Sequence, residues 1–339
     1  MFWRARFNRG RMAAALAASL TLSASGWAEP RLTVATPTAT ANVQIWNGHG
    51  YTRPALFDWL KKAPADIRDY GRETFRRKNT AAILIVIAST ALLLVADQYL
   101  VDKAHNLGDH LGITHTQYQK TFLELPIPGV KKKPGIEGPF DSGSALYFIG
   151  DGWVDLGLAG SFLGYGLAKS DNRALRTSSE LAESILAGGT VVQVLKHVTG
   201  RESPFTTNTP GGVWRFFPNQ FDYASNVPKY DAFPSGHLCA AMSAVTVIAD
   251  NYPEHTYVRP VGYTLMGVLG FQMLNNGVHW ASDYPLALAM GYGFGKIAVR
   301  KGRTEQGAAV HFYPMALRGG AGVTAICHFG PGAEQGRES

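Results

Sequence analysis

The stretch FPSGHLCAAMSAVTVIAD, residues 233–250, joins a polar turn to a long apolar run. Proline and serine ahead of an alanine-rich segment indicate the N-terminus of a helix. A helix N-terminus presents unpaired N–H groups and the positive end of the dipole, so it attracts anions. Gly236 leaves room for an oxyanion, Ser235 offers a hydroxyl donor, and His237 can exchange a proton near neutral pH. The alternative is an ordinary helix cap beside a chance histidine.

A second motif, HWASD at residues 279–283, holds an imidazole and a carboxylate four positions apart. On a helix these two side chains would share a face. A carboxylate bonded to one ring nitrogen fixes the tautomer and leaves the other nitrogen free to attack. In the alternative interpretation, Asp283 caps a helix and His279 lies in a loop.

A third group of basic residues follows the apolar stretch SILAGGTVVQVLKHVTG, residues 184–200. Lys196 ends this stretch, and Arg201 comes five residues later. Basic residues near a helix end are usually solvated or bind terminal carbonyls. Together with the other two motifs, however, they favour a site that handles a phosphoryl group.

The three motifs, in this order, resemble the type 2 phosphatidic acid phosphatase and vanadium haloperoxidase superfamily. The family pattern is K-x6-R-P, then P-S-G-H, then S-R-x5-H-x3-D. It is met here by Lys196, by residues 234–237, and by His279 with Asp283. The resemblance extends over roughly residues 80–300.

Two family arginines are missing from their usual positions. Ser203 stands before Pro204 where the first arginine is expected, and Gln272 and Met273 replace the serine and arginine of the third motif. Neither serine nor methionine can copy the planar fork with which a guanidinium grips phosphate. Arg201 and Arg215 are the candidate replacements.

The resemblance implies a metal-independent acid phosphatase without a cofactor. It implies that His279 attacks phosphorus, that Asp283 orients His279, and that His237 protonates the leaving oxygen and then helps to activate water. The non-bridging oxygens would be held by four residues: Lys196, Arg201, Ser235 and Gly236. Positive charge arranged around the phosphoryl group would supply most of the acceleration.

Composition limits the choice of partners. The chain has 339 residues, 46% of them hydrophobic, with a net charge of +7. The mean hydropathy is −0.05, which is high for a soluble protein and modest for a many-pass membrane protein. A basic excess suits an anionic membrane surface or a phosphorylated substrate, and no nucleic-acid-binding motif is present. We therefore expect a phosphorylated lipid or another phosphate ester, a membrane surface and no nucleic acid.

The chain is predicted to have four parts. Residues 1–28 carry four early arginines, an apolar segment and a small-x-small end, which indicate a signal peptide cut after Ala28 or, alternatively, an uncleaved anchor. Residues 29–79 form an N-terminal extension and residues 80–300 the helical domain. Residues 301–339 form a tail in which two apolar runs around glycines predict a β-hairpin.

The predicted fold class is all-α, a bundle of about six apolar helices that is partly embedded in a membrane. A long connection at residues 201–230 could cover the site. The helical candidates are Ala81–Leu100, Ala145–Ala168, Leu181–Val198, His237–Ala249, Val258–Leu274 and Asp283–Val299.

Charge predicts the orientation. If all six candidates span, most basic clusters fall on one side and the histidines on the other, so the positive-inside rule puts the site outside the cytoplasm. A cleaved signal conflicts with an even number of spans, so either the signal is retained or several candidates are core helices. Both versions place the protein in a bacterial cell envelope, at the inner membrane or in the periplasm, with the site facing the periplasm.

Three alternatives to hydrolysis remain. Loss of two arginines suits a degenerate relative that binds phosphate, or is structural, without turnover. A vanadate-dependent haloperoxidase would need a richer shell of cations. Phosphotransfer to a lipid acceptor cannot be separated from hydrolysis by sequence.

Overall fold

A computed structural model describes residues 17–21, 43–124, 135–304, 310–317 and 320–327. The chain divides into a helical unit, Arg53–Gly302, and a second unit that combines Met1–Thr52 with Arg303–Ser339. The helical unit therefore starts upstream of the predicted boundary at residue 80.

The described residues contain nine α-helices, and the prediction of an all-helical body is confirmed. All six apolar candidates are helical, although 145–168 is split in two. The helices are α1 (Asp58–Thr74), α2 (Thr80–Leu111), α3 (Ser142–Phe148), α4 (Gly152–Lys169), α5 (Asn172–Thr199), α6 (Gln220–Ser225), α7 (Gly236–Asn251), α8 (Val258–Asn275) and α9 (Tyr284–Thr304).

Aspartates cap the starts of α3 and α4. Asp141 accepts a hydrogen bond from the backbone N–H of Ser144, and the Ser144 hydroxyl receives one from the backbone N–H of Asp141. Asp151 starts α4 by accepting from the backbone N–H of Trp153 at 2.8 Å. Such side chains satisfy the orphan N–H groups of a helix start, so the chain begins a new helix at each of them.

The main core lies between α5, α7, α8 and α9. Fully buried side chains from these helices include Leu238, Leu269, Met273 and Phe294. The helix α1, within the predicted extension, also packs on this core, and its Tyr70 stacks on Phe294 with ring centroids 4.3 Å apart. The core therefore fixes the ends of α5, α7 and α8, where the three sequence motifs lie.

The strands of the described residues form three small sheets. Strands β2 (Gln44–Trp46) and β3 (His49–Tyr51) pair antiparallel, as do β4 (Lys120–Glu124) and β5 (Gly135–Gly138). The predicted C-terminal hairpin is confirmed as β6 (Val310–Leu317) and β7 (Gly320–Cys327). Strand β1 (Ala17–Thr21), inside the predicted signal segment, pairs with β7. The proposed cleavage point at residue 28 lies outside the described residues.

Helix α2 has two unlike halves. Its first half exposes large apolar side chains, with Ile85 68% and Leu92 72% exposed. Its second half buries Asp97, Val101, Ala104 and Gly108, whose spacing of three and four residues makes one helical face. Within the described residues, the segment Arg77–Leu111 is the one helix apolar and long enough to cross a membrane.

Candidate active site

His279 is held by the turn that ends α8. The backbone N–H groups of Val278 and His279 both donate to the Met273 carbonyl, at 3.1 and 3.2 Å. Gly277 permits this turn because its φ is +70°, in the left-handed region that favours glycine. Glycine is also needed for space, because a β-carbon at this position would lie only 3.1 Å from Phe205. The turn delivers a buried imidazole, 2% exposed.

The tautomer of His279 follows from its partners. Nδ1 lies 2.7 Å from the Ala232 carbonyl oxygen and 3.4 Å from Oδ2 of Asp283. A carbonyl oxygen can only accept a hydrogen bond, so Nδ1 carries the proton. Both hydrogen bonds to described residues involve Nδ1, which leaves the Nε2 lone pair for a substrate. The predicted aspartate contributes, but the backbone carbonyl is the closer partner.

Asp283 reaches His279 by a different route from the one expected. The two residues do not share a helix: His279 lies in the turn, and Asp283 ends a short 3₁₀ segment, Ala281–Asp283, before α9. Oδ2 of Asp283 accepts from the backbone N–H of Trp280 at 2.8 Å. The H-x3-D spacing therefore works through a tight turn, and the helical explanation of the pairing is wrong.

Arg201 lies behind this pair, completely buried. One guanidinium nitrogen donates to Oδ1 of Asp283 at 2.5 Å and to the Ser282 hydroxyl at 2.6 Å. The other donates to Oδ2 of Asp97 at 2.6 Å and to the Gly211 carbonyl. Nε has no partner among the described residues. The predicted phosphate clamp is thus mainly engaged with two carboxylates, and only Nε remains for a ligand.

Two indole rings enclose the same guanidinium. Its carbon lies 4.8 Å from the Trp214 ring centroid and 5.3 Å from that of Trp280. A cation over an aromatic face is attracted by the ring quadrupole. Together with its four hydrogen bonds, this holds Arg201 in a fixed position.

The P-S-G-H turn begins α7, as predicted. The Ser235 hydroxyl accepts from the backbone N–H of Leu238 at 3.4 Å and lies 3.7 Å from the sulfur of Met273. This is the helix-cap role that was the alternative interpretation. A β-carbon on Gly236 would meet only Val192 among described residues, at 3.7 Å. The space beside Gly236 thus remains available to an oxyanion.

His237 faces the nucleophile candidate. The ring centroids of His237 and His279 are 6.2 Å apart with the planes at 74°. The ring of Tyr147, which belongs to α3, lies with its centroid 4.8 Å from that of His237. Burial lowers the pKa of His237 to about 3, helped by the neighbouring His279 and Lys196. His237 is therefore neutral near pH 7.

Lys196 comes from the last turn of α5, beside the left-handed cap at Gly200. Its side chain is 9% exposed, and Nζ lies 3.4 Å from Oδ2 of Asp231. This carboxylate is adjacent in sequence to Ala232, the residue whose carbonyl binds His279. The lysine is therefore near the imidazoles, as expected, and already paired with an acid.

The second candidate replacement arginine is engaged elsewhere. Both terminal nitrogens of Arg215 lie 3.3 Å from Oε2 of Glu202, and one also lies 3.3 Å from the Lys229 carbonyl. At the positions of the two lost arginines, Ser203 and Met273 are buried.

Sequence reasoning missed four residues of this region: Asp97, Asp231, Tyr147 and Ser282. One signal was available, since Asp97 directly ends the strongest apolar run of the chain, and a charge at such a place is a functional hint. The charged groups of this region are therefore three carboxylates, on Asp97, Asp231 and Asp283, and two cations, on Lys196 and Arg201.

Within the described residues, no group of three or more His, Cys, Asp or Glu side chains is arranged to hold a metal ion. The cluster described above consists of imidazole, carboxylate, ammonium and guanidinium groups. Its geometry suits proton transfer and nucleophilic attack by a ring nitrogen.

Residues 178–306 match the family model of the PAP2 superfamily. The predicted resemblance is confirmed over this segment. All three motifs lie inside it. Among solved structures, a similar chain is the first transmembrane PAP2 type phosphatidylglycerolphosphate phosphatase from Bacillus subtilis. That chain is 12% identical, the match covers 74% of this chain and 98% of that one, and the TM-score is 0.38. No curated protein matches.

Proposed function

We propose that this protein is a phosphatase that hydrolyses a lipid phosphate or pyrophosphate through a phosphohistidine at His279. The observation that carries the proposal is the fixed tautomer of His279, whose Nδ1 donates to the Ala232 carbonyl at 2.7 Å. A neutral imidazole held this way offers Nε2 as a nucleophile. The PAP2 superfamily match supports a phosphatase.

In the first half-reaction, Nε2 of His279 forms a bond to phosphorus while the bond to the leaving oxygen breaks. Positive charge then develops on the imidazole, and the Asp283 carboxylate, 3.4 Å from Nδ1, stabilises it. The leaving oxygen takes a proton from His237 and departs as an alcohol or, from a pyrophosphate, as a phosphate.

In the second half-reaction, His237 takes a proton from a water molecule as that water attacks the phosphohistidine. The N–P bond breaks, inorganic phosphate leaves, and His279 returns to its starting tautomer. His237 must be protonated for the first step, yet its pKa lies at about 3 without substrate. A bound phosphoryl anion beside the ring raises this pKa, because opposite charge favours the protonated form. The acid is thus created by substrate binding.

Phosphate binding is assigned to Lys196, to the Gly236 backbone, to the Ser235 hydroxyl and to Nε of Arg201. Substrate would draw Lys196 away from Asp231, which holds it at 3.4 Å. Arg215 is not needed for this arrangement. With one mobile cation instead of three, the site should bind phosphate more weakly than a site with the full family motif.

Membrane association is proposed through α2. The segment Arg77–Leu111 carries exposed apolar side chains along its first half and Arg76, Arg77 and Lys78 at its start. The positive-inside rule would keep these basic residues in the cytoplasm. Asp97 lies 17 residues after Thr80, about 26 Å along the helix, so the site would lie near the opposite, periplasmic surface.

The test is phosphate release by the purified full chain in detergent. Diacylglycerol phosphate, an isoprenyl pyrophosphate and lipid A are the substrates, each with and without a chelator. We expect release from at least one substrate in the presence of chelator, and a loss of about a thousandfold or more in His279→Ala. Turnover that survives this substitution, or that disappears with the chelator, would overturn the proposal.

A second candidate function, phosphate binding without turnover, is favoured by the charge balance. The site contains three carboxylates and two cations, and two of the carboxylates share Arg201. The same preparation distinguishes the candidates: the binding protein would retain lipid phosphate on a pull-down with intact stability and release no phosphate from any substrate.

A further inference from the structure

Asp97 belongs to the buried face of α2. It is the first member of the stripe formed with Val101, Ala104 and Gly108. Its side chain is completely buried, although it follows directly on the apolar run of residues 81–96. An ionised carboxylate at such a place requires partners for both oxygens.

Both oxygens of Asp97 have such partners, and all of them belong to the active-site network. Oδ1 accepts from the backbone N–H of Ser282 at 2.9 Å. Oδ2 accepts from the Ser282 hydroxyl at 2.5 Å and from Arg201 at 2.6 Å. These three bonds join residues more than a hundred positions apart in the chain.

Arg201 divides its fork between two acids. One terminal nitrogen binds Asp97, and the other binds Asp283. If Asp97 were uncharged, both nitrogens could turn to Asp283, because a guanidinium prefers a bidentate carboxylate. The carboxylate of Asp283 would then rotate away from His279 and give up more of its charge to the arginine.

We propose that Asp97 is a positioning residue for the reaction of His279: it holds Arg201 and Ser282 so that Asp283 keeps its orientation and its negative charge toward the imidazole. This inference rests on the proposed function. It also makes the site depend on the packing of α2, which lies in the candidate membrane span Arg77–Leu111.

The experiment compares Asp97→Asn with Asp102→Asn in the full chain in detergent. Asp102 is a matched control because it lies on the same helix, is exposed and accepts its bond from Gln98 at the surface. Asparagine at 97 can still accept from the Ser282 N–H. Its amide N–H groups, however, would face the donors of Arg201 and the Ser282 hydroxyl.

For Asp97→Asn we expect kcat to fall on the order of 10- to 100-fold, as for other outer-shell partners of a reactive group. KM should rise less, by about two- to fivefold, because Lys196, Ser235 and Gly236 are untouched and only the contact from Nε of Arg201 moves with its guanidinium. The acid limb of the pH–rate profile should move to lower pH, since the imidazolium of His279 loses support from Asp283. His237, whose ring faces His279, and the Lys196–Asp231 ion pair beside His237 remain in place. Asp97→Glu should restore part of kcat, and Asp102→Asn should match wild type.

A second readout does not need turnover. In protein labelled with ¹⁵N-histidine, the Nδ1–H resonance of His279, assigned by its absence in His279→Gln, should shift in Asp97→Asn and not in Asp102→Asn. A shift in a protein without phosphatase activity would keep the positioning role and refute the proposed function. An unchanged resonance, or a per-molecule kcat and pH profile equal to wild type, would overturn the positioning role even where stability falls.

Discussion

Two buried groups of acids lie about 20 Å apart along α5, the first near Glu183 and the second beyond Lys196. At the active site, Asp97 and Asp283 are completely buried and share Arg201. At the other end, Glu183 on α5 lies beside Asp66 on α1. Asp66 pairs with Lys301 at 2.7 Å, and the Glu183 carboxyl forms a hydrogen bond with Asp66.

The two groups solve the same electrostatic problem in different ways. Burial, and then the neighbouring Asp66, raises the pKa of Glu183 well above its ordinary value, so this acid keeps its proton. The two active-site acids instead share the guanidinium of Arg201, which donates a hydrogen bond to each of them. The comparison teaches that a proton suffices where a carboxylate only has to be buried. A fixed cation is needed where the carboxylate must act on a histidine.

Removing the cation from each group gives the largest expected difference. Arg201→Gln leaves two buried carboxylates without compensation, which should lower the free energy of unfolding by about 3 to 5 kcal/mol and abolish phosphate release. Lys301→Gln removes a partly exposed lysine from buried Asp66 and from Asp69. Because protonated Glu183 still donates a hydrogen bond to Asp66, the loss should be smaller, about 1 to 2 kcal/mol. Denaturant unfolding in detergent compares the two, and equal losses would contradict the distinction.

Glu183→Gln tests the proton at the far end. Folded Glu183 stays protonated, whereas the unfolded residue ionises from its ordinary pKa of 4.5 upward. The folded state then binds more protons than the unfolded one, so stability falls as the pH rises above this value. Glutamine cannot ionise. The variant should therefore gain on wild type with rising pH, by up to about 1.4 kcal/mol per pH unit, in unfolding measurements between pH 5 and 9.

Phosphate release should not change in Glu183→Gln, because the residue lies far from the imidazoles. A difference between the two proteins that stays constant with pH would show that Glu183 is ionised in the folded state.

For His237 we expect the opposite dependence of stability on pH. Its pKa is about 3 in the folded protein and 6.5 ordinarily. Between these values the unfolded state binds the proton and the folded state does not, so wild type loses stability as the pH falls below 6.5. His237→Gln should remove this loss while it also removes turnover. Unfolding curves of both proteins from pH 7 to 4 measure it, and parallel curves would refute a neutral His237.

The smallest expected effect concerns the ion pair between Lys196 and Asp231. Asp231→Asn releases Lys196 and removes one of three carboxylates, so KM for a phosphate ester should fall about three- to tenfold at low salt. Asp222→Asn, an exposed aspartate on α6, is the matched control. A KM that rises in Asp231→Asn would mean that Asp231 holds Lys196 in its productive position.

The sequence predicted those parts of the site that are local along the chain. Helix starts, the P-S-G-H turn and the H-x3-D spacing are read from neighbouring residues, and Lys196, His237 and His279 were found in this way. The pairing of Asp97 with Arg201 spans 104 positions, and no local pattern encodes it. Helix α1 was missed because it is short of apolar residues and contains Pro64, while its docking depends on α5.

The roles of the arginines could not be read from motif positions either. Arg201 is two residues from a lost family arginine, which suggested a direct replacement, but its position is decided by two acids and two indole rings that come from other parts of the chain. A buried cation is stable only beside carboxylates that can pair with it. The positions of those carboxylates depend on the tertiary structure.

The most direct test of the account is a rapid-quench experiment with substrate labelled by ³²P on the transferred phosphoryl group. The account predicts a covalent label that is stable to alkali, labile to acid and located by peptide mapping at His279. The label should form and decay at rates compatible with turnover, and it should be absent in His279→Ala. Turnover without any such label, or a label on another residue, would contradict it.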